Sequence, residues 1–401
     1  MTTPATVGPR RGWTALRAGT FPAFVLLYGA LYSAYGTESA YMPAFLKDHG
    51  LPIERVGAVL AAGTVVRIVA GPALGALADR LGARRAVLAV AALLSGLVGM
   101  SYTVAFGLWP LLGISMAHSA ATAALAPLAD ALSLAASLGP GGFQYGWVRG
   151  IGSAAFVGGT LISGQFVDRV GLVFIIWASS LLFLLMGVVA WRVPAPPRPA
   201  EANPIGSAGA FRTLLANPVY RRLLLVAALV IGSHAVNDVY AVIRWREAGF
   251  GSGVVSLLWS ESVIAEVVVF FLVGPWLLDR LGPARAAALS AGAGVLRWSV
   301  LGATVAGPAL AGVQALHGLT FALLHLSAMD LIRRQVPETL SGTAQTLYGT
   351  FALGIASAAL TFAAGTLVTR FGAHAFWAMA VLCLVAIPFC FGLAPRPERQ
   401  P

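Results

Sequence analysis

Gly75-Ala-Leu-Ala-Asp79-Arg80-Leu-Gly82-Ala-Arg84-Arg85 is a short polar phrase at the end of a long apolar segment. Roughly two hundred residues later, Asp279-Arg280-Leu-Gly282-Pro-Ala-Arg285 closes another such segment. Weaker echoes stand near the middle of each half, at Val167-Asp168-Arg169-Val170-Gly171 and at Thr369-Arg370-Phe371-Gly372. A charged turn that returns about every ninety residues between hydrophobic stretches predicts repeats nested inside two halves.

Composition says where such repeats reside. Of 401 residues, 58% are apolar and only 10% charged, with a mean hydropathy of +0.82. A soluble domain carries about 25% charged residues, so a water-soluble globule is excluded. Apolar stretches near twenty residues recur along the chain, each long enough for a hydrocarbon core of about 30 Å. The first, from Thr20, lacks a small-residue cleavage site and reads as a retained helix. The sequence predicts an all-α membrane protein.

Twelve spans are expected: 20–46, 56–77, 84–102, 105–138, 143–167 and 171–191, then 219–245, 253–278, 284–306, 308–333, 339–368 and 372–393. They divide the chain into a tail (1–19), a first six-helix bundle (20–192), a linker (193–218), a second bundle (219–393) and a tail (394–401). Pro194, Pro196, Pro197, Pro199 and Pro204 suit an extended linker, with 211–216 as a short surface helix. The net charge of +11 reports topology instead of nucleic-acid binding. Arg80, Arg84, Arg85, Arg192, Arg212, Arg221, Arg222 and the arginines of both tails fall on one side. Only Lys47, Arg55, Arg169, Arg244, Arg246 and Arg370 fall on the other. The positive-inside rule then puts both termini and the linker in the cytoplasm. Cys383 and Cys390, seven apart in one segment, read as packing residues.

With two halves and G-x-x-x-D-R-x-G-x-R-R between the second and third spans, the chain resembles the major facilitator superfamily. Gly75, Asp79, Arg80, Gly82, Arg84 and Arg85 carry that loop motif. A finer resemblance rests on Gln144-Tyr145-Gly146-Trp147-Val148-Arg149-Gly150-Ile151-Gly152 in the fifth span, and on Trp259-Ser260 with Ala265-Glu266-Val267 in the eighth. Gly294-Val295-Leu296-Arg297-Trp298 in the ninth, Leu316-His317, Thr320-Phe321 and His325-Leu326 in the tenth, and Gln345-Thr346-Leu347-Tyr348 in the eleventh extend it. These stretches are similar to the phenylpropionate permease family, related to the lactose permease group of proton symporters. The resemblance implies two pseudo-symmetric six-helix bundles, alternating access, and proton-coupled uptake of a small organic solute such as an aromatic monocarboxylate. It further implies a monomer in a bacterial inner membrane, in contact with solute, protons and lipid, without cofactor or metal. Efflux by proton antiport, and uptake of a sugar or nucleoside, stay open.

The residues themselves point the same way. A charge at the bilayer centre costs at least ~2.5–3.5 kcal/mol on insertion scales, so it is normally paired or functional. Eleven ionisable groups interrupt the apolar spans: Glu38, Arg67, Asp130, Arg149, His234, Asp238, Glu261, Glu266, Arg297, His317 and His325. Such a density predicts a polar interior space. Asp130 and Arg149 flank one short turn and are expected at matching depth, as a static bridge or as a pair that substrate releases. An arginine fork fits a carboxylate or sugar hydroxyls. Substrate is expected to meet Arg149, Asp130, Glu38, His317, Asp238, Gln345 and Tyr348. By resemblance Glu266, Arg297 and His317 meet near the midplane as the proton-coupling group. The lactose permease pattern has a carboxylate where this chain has Thr320 and a lysine where it has Gln314. The proton therefore needs another carrier among Glu266, Asp130, Asp238, Glu38 and His317, and Glu266 is favoured. Trp245, Trp259 and Trp298 are expected in the core or as stacking partners. The chain has no H-E-x-x-H, G-x-S-x-G or P-loop pattern, so neither a membrane enzyme nor an ATP-driven pump is expected. A sensor is expected to add a soluble domain, and none is read here.

Overall fold

The computed structural model of the protein describes residues 20–138, 142–194 and 208–393. The expected tails 1–19 and 394–401, the linker stretch 195–207 and the turn 139–141 lie outside the described residues. Within them, every regular element is helical. The first half forms α1 (Thr20–Ser39), α2 (Met42–Asp48), α3 (Ile53–Leu81), α4 (Arg84–Met100), α5 (Leu108–Thr122), α6 (Leu125–Leu138), α7 (Tyr145–Val170) and α8 (Val173–Ala190). A short helix, α9 (Ala208–Ala216), covers the stretch expected at 211–216 and leads into α10 (Pro218–Gly232), α11 (Val242–Glu247) and α12 (Ser252–Val268). There follow α13 (Gly274–Ala303), α14 (Gly307–Gln314), α15 (Leu324–Gln335), α16 (Ser341–Tyr348), α17 (Ser357–Phe371) and α18 (Ala375–Phe391).

Nine helical stretches among the described residues are long and apolar enough to cross a membrane. Two of them, Ser252–Ala303 and Glu338–Phe391, run for 52 and 54 residues. Each is interrupted at a glycine of the repeated phrase, Gly282 and Gly372. All four repeat glycines take positive φ: 61° at Gly82, 91° at Gly171, 71° at Gly282 and 53° at Gly372. A side chain is strained in that region, which is why each phrase places a glycine two residues after its arginine. At the first of these turns the Asp79 carboxylate pairs with Arg84 Nε at 2.6 Å.

Some segments that the sequence predicts as continuous are broken. The span expected over 20–46 divides into α1 and α2 because Pro43 cannot donate to the carbonyl of Ser39. Pro127 does the same to the carbonyl of Ala123, separating α5 from α6. In the second half, π-helical turns at Asn237–Ala241, Val269–Val273, Gly318–Leu323 and Gly349–Ala356 join consecutive pieces. Such turns widen the helix locally.

Helices pack where glycine removes the side chain. A Cβ at Gly36 or Gly159 collides with the α7 or α1 backbone, so α1 and α7 lie in direct backbone contact, and Thr160 Oγ1 donates to the Gly36 carbonyl at 2.9 Å. Gly294 meets Cys383 across α13 and α18, and both cysteines are buried and unbridged. Leu94 and Leu97 on α4, Leu181, Leu185 and Val188 on α8, and Val381 and Leu384 on α18 stay exposed. These outward apolar faces suit hydrocarbon, not water.

The halves of the chain meet along α3–α17 and α7–α12. Their polar links gather at one end, which we call the far end because it lies opposite the Asp79 turn and α9. Ser252 donates from its amide (2.8 Å) and its hydroxyl (2.6 Å) to Asp168. Tyr41 donates to the Ser252 carbonyl and shares a bond with Ser256 Oγ, both at 2.6 Å. Lys47 pairs with Glu247 at 2.5 Å. A Cβ on Gly57 falls 2.6 Å from the Thr361 carbonyl, and one on Gly365 falls 2.7 Å from the Glu54 backbone. The far end is closed.

Candidate functional site

One polar cluster forms in the first half where α1, α6 and α7 meet. Arg149 stands four residues into α7, and Asp130 on α6 faces it with 3.5 Å between Nη1 and Oδ1. That exceeds the ~2.7–2.9 Å of a tight charge-assisted bond. Each charge has a closer partner. The Tyr28 hydroxyl donates to Asp130 Oδ1 at 2.5 Å and lies 2.7 Å from Ser133 Oγ. Arg149 Nη1 donates to the Tyr32 hydroxyl, and the guanidinium sits 5.2 Å from the Tyr32 ring centroid. All bonds from Arg149 leave through Nη1. Its Nε–Nη2 edge has no partner among the described residues, and the side chain is 41% exposed.

Above this cluster sits a second charge. Arg67 on α3 donates to Thr122 Oγ1 at 3.3 Å and lies over the Tyr35 ring, and Glu38 and Tyr35 share its field. Glu38 therefore belongs with Arg67 and not with the Asp130–Arg149 pair.

The second half holds a denser network. Arg297 on α13 is fully buried, over the Trp298 ring at 4.5 Å. It meets His317 Nδ1 at 2.9 Å, Gln314 Oε1 at 3.1 Å and Thr320 Oγ1 at 3.5 Å. Since Arg297 is the donor, His317 Nδ1 accepts, and the imidazole proton resides on Nε2. That nitrogen lies 3.5 Å from Glu266 Oε2. Glu266 thus touches His317 and reaches Arg297 only through it. The remaining charges around Glu266 are His325 and, from the first half, Arg149. Asp238, hydrogen-bonded by Asn237 at 3.3 Å, is the acid whose field Arg297 feels.

The sequence-derived candidates therefore separate into several places. Arg149 joins Asp130, and His317 joins both Glu266 and Arg297. Tyr348 lies 3.4 Å from His325, whose ring is stacked with Phe321 and through it with His317. Gln345 bonds Ser341 on its own helix and is exposed. Glu261 lines a separate apolar crevice with Leu161 and Val254. Trp245 and Trp298 are core residues. Gln314 and Thr320, the departures from the lactose permease pattern, both supply neutral acceptors to Arg297. Sequence reading missed Tyr28, Tyr32 and Tyr35, whose spacing puts all three on one face of α1. It also missed the pairing of Asp168 with Ser252, although Asp168 stands in a repeat of the loop phrase.

Comparison with known proteins gives the family and the fold. The MFS_1 like family matches residues 23–379. The chain is 31% identical to a "Probable 3-phenylpropionic acid transporter" of Escherichia coli (strain K12), over 92% of this chain and 96% of that one. It is 27% identical to a "Maltose permease" of Geobacillus stearothermophilus, over 96% of each. Among solved structures, the nucleoside transporter NupG superposes with a TM-score of 0.79 at 15% identity, covering 94% of this chain and 98% of that one. A D-xylose-proton symporter does so at 0.67 and 14%, over 95% and 98%. The chain belongs to the MFS_1 like family and is a secondary transporter of the major facilitator type, integral to the membrane and not an enzyme.

Proposed function

We propose that this protein takes up an aromatic monocarboxylate together with a proton. The observation that carries the reading is the open Nε–Nη2 edge of Arg149, held in place through Nη1 and accessible to solute. A guanidinium edge matches the two oxygens of a carboxylate, and tyrosine rings stand beside it. The 31% identical relative, named a probable 3-phenylpropionic acid transporter, supports the solute class. Glu266 is the proton carrier. It faces the neutral N–H of His317 on one side and the field of Arg149 on the other, so solute at Arg149 changes the electrostatics that Glu266 experiences.

In this reading the chain crosses the membrane twelve times. The two long stretches count as two passes each, and α1 with α2 supplies the first. Bundles 20–192 and 219–393, joined by 193–218, rock about the α3–α17 and α7–α12 contacts in a bacterial inner membrane, with both termini cytoplasmic. The closed far end is then periplasmic, and the structure corresponds to an inward-facing state in which Arg149 is reached from the cytoplasm.

Calorimetric titration of the purified protein with 3-phenylpropionate, maltose and a nucleoside tests the solute class. Binding of the carboxylate alone, lost in Arg149→Lys and in the double variant Asp130→Ala plus Arg149→Ala, supports the reading. Lysine offers a point charge in place of the fork. Recovery of affinity in the double variant overturns it and makes Arg149 a structural bridge. A second reading, uptake of a neutral sugar, draws on the maltose permease relative and predicts the opposite selectivity.

A further inference from the structure

The longest interaction in the first cluster is the ion pair itself, and the shortest are made by tyrosines. Tyr28 and Tyr32 lie one turn apart on α1, their rings stacked with centroids 5.8 Å apart. Tyr28 is fully buried and donates a hydrogen bond to Asp130. Tyr32 receives Arg149 Nη1. The slot for these rings is cut into α7 by Gly152, one turn after Arg149. A Cβ there falls 2.9 Å from Tyr32 Cδ2 and 3.4 Å from Tyr28 Cδ1. An acid and a base this close normally collapse into a bidentate pair that uses the Nε–Nη2 edge. Here Tyr28 and, from the first residue of α7, Tyr145 occupy the acid, while Tyr32 occupies a single nitrogen of the base.

We propose that Tyr28 and Tyr32 are positioning residues that hold Asp130 and Arg149 apart, so that the fork of Arg149 stays available to a solute carboxylate. This rests on Arg149 being the carboxylate site. Tyr32 fixes the guanidinium by one edge and supports its plane. Tyr28 gives Asp130 a neutral donor, which removes its need to compete with the solute for Arg149. The two hydroxyls therefore act differently. Without the Tyr32 hydroxyl, Arg149 is free to rotate. Without the Tyr28 hydroxyl, Asp130 keeps only Tyr145 as a tyrosine donor and turns toward Arg149, competing with the solute for it.

Two readouts test this, one of them without solute. Phenylglyoxal bridges the two terminal nitrogens of an arginine, so a guanidinium held through Nη1 reacts slowly. Modification of the peptide carrying Arg149 is followed by mass spectrometry, with the peptide carrying Arg84 as reference, beside titration with 3-phenylpropionate. Tyr32→Phe is expected to raise the Arg149 rate several-fold and weaken affinity about tenfold, the effect of losing a hydrogen bond to a charged group. Tyr28→Phe is expected to weaken affinity and slow modification, and Asp130→Asn placed on top of it to restore affinity. That rescue is foreign to a merely structural tyrosine. Unchanged rate and affinity in Tyr32→Phe, or no rescue of Tyr28→Phe by Asp130→Asn, overturns the positioning role. If wild type binds no carboxylate while the modification rates shift as expected, the solute reading falls and the holding-apart of the pair stands. Should Tyr32→Phe fail to fold, the Tyr28→Phe rescue decides alone.

Discussion

Asp168→Ala should unlatch the far end. Its carboxylate accepts both the amide and the hydroxyl of Ser252 at the start of α12, so it serves as an N-cap supplied by the other half of the chain. Loss of an N-cap costs about 1 kcal/mol, within a range of ~0.5–2. Asp168 is exposed while Ser252 is 1% exposed, and solvent screening argues for the middle of that range instead of its top. At ~1.4 kcal/mol per tenfold, the ratio of far-end-open to far-end-closed molecules rises about fivefold. Spin labels at Val104 and Ala248, both exposed at this end and on opposite halves, report the distance by pulsed electron resonance. The variant should gain weight in a longer component with the short one conserved in position. An unchanged distribution would refute the claim that Asp168 holds the halves together. A uniform broadening would show loss of fold, not release of a latch.

Gly164→Ala places a Cβ 2.6 Å from Ser256 Cβ and 2.7 Å from the Ser252 carbonyl. It should push α7 from α12, lengthen the same distance and lower the melting midpoint, an overpacking cost of ~1–3 kcal/mol; a wild-type melting curve contradicts the packing described. Arg297→Lys removes the arrangement that serves His317, Gln314 and Thr320 at once, and should destabilise the protein by ~1–3 kcal/mol in thermal unfolding. If Arg297→Lys melts as wild type does, the buried network contributes less than its geometry implies.

Much of the scaffold is readable from pattern because membrane helices have a strong compositional signature. The four loop phrases predicted four turns, and each repeat glycine adopts positive φ. Helix breaks were also present in the sequence, at Pro43 and Pro127, yet hydropathy averages over them. The site was legible one residue at a time. Arg149 with Asp130 and His317 with Glu266 were visible as ionisable groups in apolar spans, since a charge stands out there. Their tyrosine partners were not, because an aromatic residue in a membrane helix raises no such contrast. Contacts between distant helices were the least legible. Nothing local in the sequence tells that Arg297 reaches Glu266 only through His317, or that Asp168 caps α12 instead of its own turn. Those pairings follow from the relative placement of helices far apart in the chain, which periodicity does not encode.

Coupling of carboxylate uptake to a proton on Glu266 is tested in reconstituted vesicles. Labelled 3-phenylpropionate is followed under an imposed pH gradient, and separately in exchange with unlabelled solute and no gradient. Wild type is expected to concentrate the solute when protons flow with it, and Glu266→Gln to exchange solute without ever concentrating it. Gradient-driven accumulation by Glu266→Gln would contradict this coupling and move the proton to another acid.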